Sequence, residues 1–380
     1  MLLVPLRALK GNKIMLDVAI IGFGVVGSGA YDTVADGRTP LRVKKVLDLA
    51  VRPGFEGIMT TDYNEILSDP SIAIVAESIG GLHPAREFVL SALKAGKHVV
   101  TANKLLMANC YRELMETAAA NGVCIRFTPA AGGGIPWLST LRRTARGGQI
   151  RKIQGILNGT TNFILDKMDQ KAADFDDVLA EAQALGYAEK DPSSDIDGLD
   201  VRYKIALSCN VATGLTAAPE EIPAFGIRYI RKCDFEWMKA QGLTCKLLGN
   251  YRLHEDGAVS LFVQPTLVSS HSLFASVEKN FNLVQLTGDR VGDLAFYGQG
   301  AGKDPTGFAL VQDMLDLAEA TPEVAYVYKE AAVDNSRTFF RYYVRTPDGA
   351  VTLTDSISVC AAQDLYKTLP EGTFVAAFAE

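Results

Sequence analysis

Histidine is scarce in this chain of 380 residues, which has only four. It has two tryptophans and six cysteines. The cysteines, Cys110, Cys124, Cys209, Cys233, Cys245 and Cys360, are widely scattered, and none forms a Cys-x-x-Cys pair. With so few histidines to join them, neither a zinc centre nor a disulfide framework is expected. A reducing, cytoplasmic setting fits such thiols. No apolar run approaches the ~20 residues that cross a bilayer, so no membrane partner is expected. Excess basic charge is also missing, since the net charge is −6. That argues against nucleic acid as the main partner, because a phosphate-binding face needs clustered Lys and Arg. Met1 to Met15 mixes leucines with Arg7, Lys10 and Lys13. This stretch is shorter and more interrupted than a secretory signal. It reads as a loose leader before the first strand, with Met15 as an alternative start.

Hydrophobic residues make up 48% of the chain. That supplies a substantial core and suggests two domains. Leu16 to Ile21 is a short apolar run rich in β-branched residues, followed by glycines and a helix-compatible stretch from Val25 to Val34. Strands are expected at Leu41 to Leu47, Ser71 to Ala76, Lys97 to Thr101 and Val123 to Phe127. Helices are expected at Pro84 to Ala95 and Tyr111 to Ala120. Strands alternating with helices predict a parallel sheet covered on both faces. After about residue 130 the rhythm changes. Ile150 to Leu157 reads as a strand, and Asp174 as the N-cap of a helix carrying Phe175, Val178, Leu179, Ala182 and Leu185, closed by Gly186. Val201 to Ala212 is a further helix. Lys246 to Leu253 and Ala258 to Leu267 form a hairpin around Asp256-Gly257, and Phe281 to Thr287 and Leu294 to Tyr297 add strands. The fold class is therefore α/β: a Rossmann-type parallel-sheet domain plus an α+β domain. The expected bounds are 1–130 for the first, 131–300 for the second, 301–340 for a helix that returns to the first, and 341–380 for a tail.

Gly22-x-Gly24-x-x-Gly27 stands between a strand and a helix. The first glycine permits the tight turn, the second lets a pyrophosphate approach the backbone, and the third lets helix and strand pack closely. N–H groups at the helix N-terminus then face the phosphates. The plain alternative is a glycine turn without a ligand. Asp48, at the end of the second strand, suits the ribose hydroxyls of NAD. Lys44, Lys45 and Arg52 lie close and suit the 2′-phosphate of NADP, so the cofactor is NADP or NAD.

Two lysines stand apart from the surface population. Lys104 follows Val99-Val100-Thr101-Ala102-Asn103 at the carboxyl edge of the sheet, where such folds bind ligands; otherwise it is a surface lysine capping the strand. Lys204 ends a run in which Glu189, Asp191, Asp195, Asp197 and Asp200 are interrupted by Pro192 and Gly198. Asp200 and Lys204 are four apart and share a helix face. The bland reading is an acidic loop and one exposed ion pair of little worth. The functional reading has specific chemistry. Hydride leaves a carbinol carbon only if the hydroxyl proton is taken up as the carbonyl forms, and a lysine can take it. Carboxylates nearby can bind an ammonium group. A substrate bearing both an amine and an alcohol suits this cluster. Asn158-Gly159-Thr160-Thr161-Asn162 reads as a turn plus cap. Gly132-Gly133-Gly134-Ile135-Pro136 gives close backbone approach or a cation site of carbonyls.

Taken together, these segments resemble homoserine dehydrogenase. The matching runs are Ile21 to Gly27, Glu77-Ser78-Ile79-Gly80-Gly81, Gly96 to Lys104, Gly133 to Pro136, Gly155 to Asn162 and Leu185 to Lys204. Gly298-Gln299-Gly300-Ala301-Gly302 with Pro305-Thr306 matches as well. The likeness implies NAD(P)-dependent interconversion of L-homoserine and L-aspartate 4-semialdehyde, in threonine and methionine biosynthesis. By this likeness Lys204 is the acid/base at the substrate oxygen, assisted by Lys104 near the nicotinamide. Glu189, Asp195, Asp200 and Thr160 would hold the substrate. Gly22, Gly24, Val26, Gly27, Ser78, Lys104, Gly186, Gly300 and Gly302 would line the cofactor site. The second domain would make a homodimer or homotetramer.

There are two departures. Thr128 stands where the family usually has a glutamate that helps hold a sodium ion, which leaves the carbonyls of Ala131, Gly133 and Ile135 as its possible ligands. Arg341-Tyr342-Tyr343-Val344 resembles the opening of the family's amino-acid-sensing module, but too little chain follows for a full module, so strands extending the body are expected. Two alternatives stay open: a dehydrogenase of another amino-acid semialdehyde, and a non-catalytic cofactor-binding regulatory protein.

Overall fold

The computed structural model describes residues 15–319 and 329–379. The leader expected at Met1 to Met15 lies almost wholly outside them. The described residues divide into two compact units, 15–140 with 301–319, and 141–300 with 329–379. In chain order the elements begin with β1 (Leu16–Ile21), α1 (Val25–Ala35), β2 (Leu41–Leu47), β3 (Met59–Thr60), α2 (Asn64–Leu67) and β4 (Ile72–Glu77). There follow α3 (Ala85–Lys94), β5 (His98–Thr101), α4 (Lys104–Ala120), β6 (Ile125–Arg126) and α5 (Trp137–Ala145). The chain continues through β7 (Ile150–Ile156), α6 (Gly159–Lys171), α7 (Phe175–Ala184), α8 (Ser193–Ile196), α9 (Leu199–Thr213), β8 (Leu215–Thr216) and α10 (Lys232–Ala240). Then come β9 (Leu243–Leu253), β10 (Val259–Ser269), β11 (Phe281–Gly288), β12 (Gly292–Gln299) and α11 (Lys303–Ala318). The last are β13 (Lys329–Glu330), β14 (Phe339–Phe340), β15 (Tyr342–Arg345), β16 (Val351–Leu353), β17 (Ile357–Ser358), α12 (Val359–Thr368) and β18 (Phe374–Phe378).

The first unit is built on a six-stranded parallel sheet in the order β3-β2-β1-β4-β5-β6. Val18 to Ile21 are wholly buried, as befits a central strand covered on both faces. The strand order reverses between β1 and β4, so the loops leaving these two strands flank the point where such sheets bind ligands. Helix α11 packs against α1 through glycines. A Cβ on Gly307 would lie 2.4 Å from the Gly29 carbonyl carbon, and one on Gly29 would lie 2.2 Å from the Lys303 carbonyl oxygen. Gly134 is pressed on Pro305 in the same way. Within the glycine run at 132–134, Gly134 therefore serves close approach.

The second unit carries an eight-stranded sheet, β12-β11-β7-β9-β10-β18-β15-β16. Its pairs are antiparallel except β10 with β18. The hairpin of β9 and β10 turns at Asp256-Gly257, with Gly257 at φ +88°. The tail strands β15, β16 and β18 continue this sheet. Phe340, Tyr342, Val344, Val375 and Ala377 share a core cluster with Phe225 and Phe262 of the body.

Two local expectations are corrected. Helix α4 begins at Lys104 rather than Tyr111, because the Asn103 side chain caps it by accepting from the Leu106 N–H at 3.0 Å. A kink at Cys110 (φ −119°) divides it. Asp174 does stand at the N-cap of α7, but its side chain makes no cap bond, and of the expected apolar face only Val178 and Ala182 are buried.

The tail is anchored by a buried ion pair. Arg345 is 1% exposed and Asp234 0%, with Nε donating to Asp234 Oδ1 at 2.9 Å and Nη2 to Oδ2 at 3.1 Å. The Tyr343 hydroxyl donates to the same carboxylate at 2.8 Å, and burial together with that charge pushes the phenol pKa up. Removing one partner of a buried pair leaves an uncompensated charge. Arg345→Met should therefore lower the unfolding free energy by about 3–5 kcal/mol in urea denaturation. A loss below about 1 kcal/mol would show that the pair behaves as a surface one.

Candidate active site

In the first unit, β1 ends in the turn Gly22-Phe23-Gly24. Gly22 has φ +89°, and a Cβ there would lie 3.0 Å from the Ile79 nitrogen. Gly24 has open space where a Cβ would stand, so its backbone is approachable. A Cβ on Gly27 would fall 2.0 Å from the Gly22 carbonyl oxygen and 2.7 Å from Ser78 Oγ. Helix α1 starts with Gly24 as its N-cap and no side-chain cap. Its first-turn N–H groups, Val26's among them, are thus left to an anion. These features fit the pyrophosphate of a dinucleotide. Ser78 braces the turn from the β4 loop, donating from Oγ to the Gly22 carbonyl at 2.9 Å.

Asp48 lies just after β2. Its Oδ2 accepts from the Phe23 N–H at 3.1 Å and from Arg52 Nη2 at 3.2 Å, and its Oδ1 accepts from the Leu49 N–H at 2.7 Å. The Arg52 guanidinium carbon sits 5.0 Å from the Phe23 ring centroid. The acid expected at the strand end is thus attached to the glycine turn. Lys104, half-buried, is the first residue of α4, beside the carboxyl ends of β4 and β5.

In the second unit the acidic run and Lys204 converge. Helix α9 is buried on nearly all sides, and its Lys204 and Asp200 are only 9% and 2% exposed. Lys204 Nζ donates to Asp200 Oδ2 and to the Leu157 carbonyl, both at 2.7 Å. This i,i+4 pair is therefore not the exposed surface pair of the bland reading. Asn158, at the end of β7, is the residue that sequence reasoning missed. Its Nδ2 donates to Asp200 Oδ2 at 2.9 Å and to Asp195 Oδ1 at 2.7 Å. Its Oδ1 caps α6 by accepting from the Thr161 N–H at 2.8 Å. The cap signal was legible in the sequence, but the second use of the same side chain was not.

The other expected residues lie as follows. Thr160 Oγ1 donates to the Tyr187 carbonyl at 2.6 Å, which ties α6 to the loop after α7. In that loop Gly186 is left-handed at φ +75°. Glu189 is exposed, and its backbone carbonyl accepts from Gln183, but its carboxylate is not brought into the Lys204 group. Gly300 is pressed against the buried Asn282 side chain, where a Cβ would lie 2.0 Å from Nδ2. Gly302 has φ +128° and precedes α11.

One of the candidate cation ligands already accepts a hydrogen bond. The Ile135 carbonyl accepts from the Trp137 N–H at 2.7 Å. Thr128 is buried and bound to Asp313 twice, from N–H to Oδ2 at 2.7 Å and from Oγ1 to Oδ1 at 2.6 Å. Among the described residues no group of three His, Cys, Asp or Glu side chains is placed to hold a metal ion. No described helix is long and apolar enough to cross a membrane.

A parallel sheet with a glycine cradle at its switch point, joined in one chain to a buried lysine–carboxylate group, defines a nicotinamide-dinucleotide-linked dehydrogenase. Comparison with known proteins narrows the class. The family model for homoserine dehydrogenase matches residues 136–315, and that for the homoserine dehydrogenase NAD-binding domain matches residues 22–128. The homoserine dehydrogenase of Synechocystis sp. is 42% identical over 314 residues, 79% of this chain and 72% of that protein. The crystal structure of a homoserine dehydrogenase from Thiobacillus denitrificans superposes with a TM-score of 0.83 at 30% identity, covering 96% of this chain and 98% of that one. A hyperthermophilic archaeal homoserine dehydrogenase in complex with NADPH gives 0.70 at 27% identity, covering 82% of this chain and 99% of that one. The chain belongs to the homoserine dehydrogenase family. It is an oxidoreductase of amino-acid biosynthesis with an NAD(P)-binding domain.

Gly27→Ala tests the cradle. Its methyl group meets the Gly22 backbone first and Ser78 Oγ next. The variant should lose at least about tenfold in affinity for the reduced dinucleotide, or about 1.4 kcal/mol, measured by fluorescence titration. Wild-type affinity would mean that the turn does not hold the pyrophosphate.

Proposed function

We propose that this chain interconverts L-homoserine and L-aspartate 4-semialdehyde with Lys204 as the acid/base. The single observation carrying this is the buried Lys204–Asp200–Asn158 group on α9 and β7. The dinucleotide, when bound, supplies or accepts the hydride at the substrate's terminal carbon. In the reducing direction the Lys204 ammonium gives its proton to the oxygen of the carbonyl as the hydride arrives. In the oxidising direction the neutral amine takes the hydroxyl proton as the hydride leaves. The Leu157 carbonyl and Asp200 hold Nζ in place for both. Asp195 and Asp200, fixed by Asn158, offer carboxylate charge to the substrate ammonium. Thr160 shapes the adjoining loop, and Glu189 is carried on that loop. Lys104 assists as a cation beside the nicotinamide.

The residues that hold the dinucleotide are Gly22, Gly24, Val26, Gly27 and Ser78, with Gly186, Gly300 and Gly302 lining it. Asp48 takes the adenosine ribose hydroxyls, which makes NAD the preferred cofactor. A 2′-phosphate placed about 4 Å from that carboxylate would cost roughly 1–4 kcal/mol per unit-charge pair. Arg52 offsets part of that cost, so NADP is accepted more weakly. The carbonyls of Ala131, Gly133 and Ile135 would be the ligands of a sodium ion. Thr128, in place of the family's glutamate, brings no charge to it and is held by Asp313 through its hydroxyl and N–H. No step runs through such an ion. The family likeness supports a homodimer or homotetramer carried by the second unit, acting in the cytoplasm.

Two measurements test this reading. Lys204→Ala should reduce homoserine oxidation by at least about a thousandfold, or ~4 kcal/mol of barrier, while the reduced cofactor still binds. Activity within tenfold of wild type would sink the assigned role. For the cofactor, kcat/KM should be higher with NAD than with NADP, and Asp48→Ser should move that ratio at least about tenfold toward NADP. A wild-type enzyme that favours NADP would overturn the role given to Asp48.

A further inference from the structure

We propose that Glu77 is a positioning residue that locks Lys104 and the dinucleotide turn to one hydrogen-bonded hub. This rests on the role given to Lys104 above. Glu77 ends β4 and is 0% exposed. Burying a carboxylate costs several kcal/mol unless donors surround it, and four do. The Thr101 hydroxyl donates to Oε2. The N–H groups of Ile79 and Gly80 donate to Oε1 at 2.8 and 3.2 Å, and Asn103 Nδ2 reaches the same oxygen at 3.4 Å. Burial pushes the carboxyl pKa up, and these four bonds oppose the shift.

The partners show what the hub holds. Ile79 and Gly80 belong to the loop whose Ser78 braces the Gly22 carbonyl. That loop reverses through Gly80 and Gly81, both left-handed at φ +81° and +71°. Thr101 ends β5, and its Oγ1 also accepts from the Asn103 N–H at 2.9 Å. Asn103 Nδ2 donates to the Gly81 carbonyl at 2.6 Å, while its Oδ1 caps α4. The residue before Lys104 is therefore fixed at its backbone and at both side-chain atoms. The N–H fixing runs through Thr101 and the Nδ2 fixings run to Glu77 and to the loop it holds, while the Oδ1 bond is the cap of α4 itself. A misplacement of about 1 Å at a reacting group can cost about a hundredfold in rate. A buried carboxylate that ties two active-site loops together earns its place by that geometry, since an apolar residue there would pack without organising either loop.

The test compares wild type, Glu77→Ala, Glu77→Gln, Asn103→Ser and Lys104→Ala by kcat, KM for L-homoserine and Kd for the reduced dinucleotide. Gln keeps an oxygen for the loop N–H groups and an amide that can donate to Thr101 Oγ1. Ser keeps the α4 cap but removes both Nδ2 bonds. Glu77→Ala and Asn103→Ser should lower kcat at least about tenfold with KM for L-homoserine little changed. Glu77→Ala should also weaken dinucleotide binding through Ser78, and Glu77→Gln should restore most of both losses. If Glu77→Ala does not fold, Asn103→Ser decides. Wild-type kcat in folded Glu77→Ala or in Asn103→Ser overturns the proposal, as does a Gln variant no better than Ala. Wild-type kcat in Lys104→Ala would instead remove the role of Lys104 itself, whereas a loss there with normal kcat in Asn103→Ser would remove only the coupling.

Discussion

An ion pair buried inside a helix sets the terms for the second unit. Lys204 and Asp200 lie one turn apart on α9, which is enclosed on nearly every side. At a surface the same i,i+4 spacing contributes about 0.3–0.5 kcal/mol and constrains nothing. Inside, each ion costs several kcal/mol to strip of water, and the pair persists only if further polar groups complete it. Those groups are the Leu157 carbonyl and the Asn158 amide at the end of β7. The charge pair thereby dictates where β7 stops and α6 starts. Gly249 lets α9 come close enough to β9 for this, since a Cβ there would sit 2.9 Å from Val201 Cγ1. A surface pair has no such retinue.

The first unit meets the opposite demand. Its ligand site must leave backbone donors unsatisfied, and the surrounding chain must hold them still. Gly24 provides the opening and Gly22 the turn. Ser78 and Asp48 then hold the turn from the two neighbouring loops. The same unit uses Gly29 and Gly307 to bring α11 against α1. Small residues serve two ends here, approach by a ligand in one place and approach by the chain's own helix in the other. Only the surrounding geometry distinguishes them.

Much of this was legible in the sequence. The β1 and β2 bounds agree with the structure residue for residue: β1 is a nearly continuous buried apolar run, and β2 is marked by Leu41 at one end and the buried Val46-Leu47 at the other. The glycine turn was legible because its spacing reflects a backbone requirement. Where α4 begins was not, since Asn109 and Cys110 dilute the apolar period and the cap that starts the helix lies at Asn103. Nor was the hub role of Asn158. Sequence assigns a side chain one local task, and Asn158 performs a local cap with one amide atom and a long-range clasp with the other. Glu77 escaped for a related reason. An acid at the end of an apolar strand reads as the first polar residue of a loop, and only the donors converging on it from β5 show that it is interior.

The tail shows why the second unit cannot be divided again. Strand β18, near the end of the chain, enters the sheet beside β10, and β15 and β16 are added outside it. The Arg345–Asp234 pair and the cluster around Phe225 and Phe262 join this tail to the body. Phe225 in turn precedes Gly226, which lies so near α8 that a Cβ would fall 2.1 Å from the Ile196 carbonyl oxygen. The next residue donates its N–H to that same carbonyl at 2.7 Å. Helix α8 carries Asp195, one end of the Asn158 clasp. The tail therefore backs the segment on which the acidic loop rests. Stripping it away would expose Phe225, Phe262 and an unpaired Asp234 together, and would release the support behind Asp195. The tail is part of the scaffold that holds the lysine's partners in place.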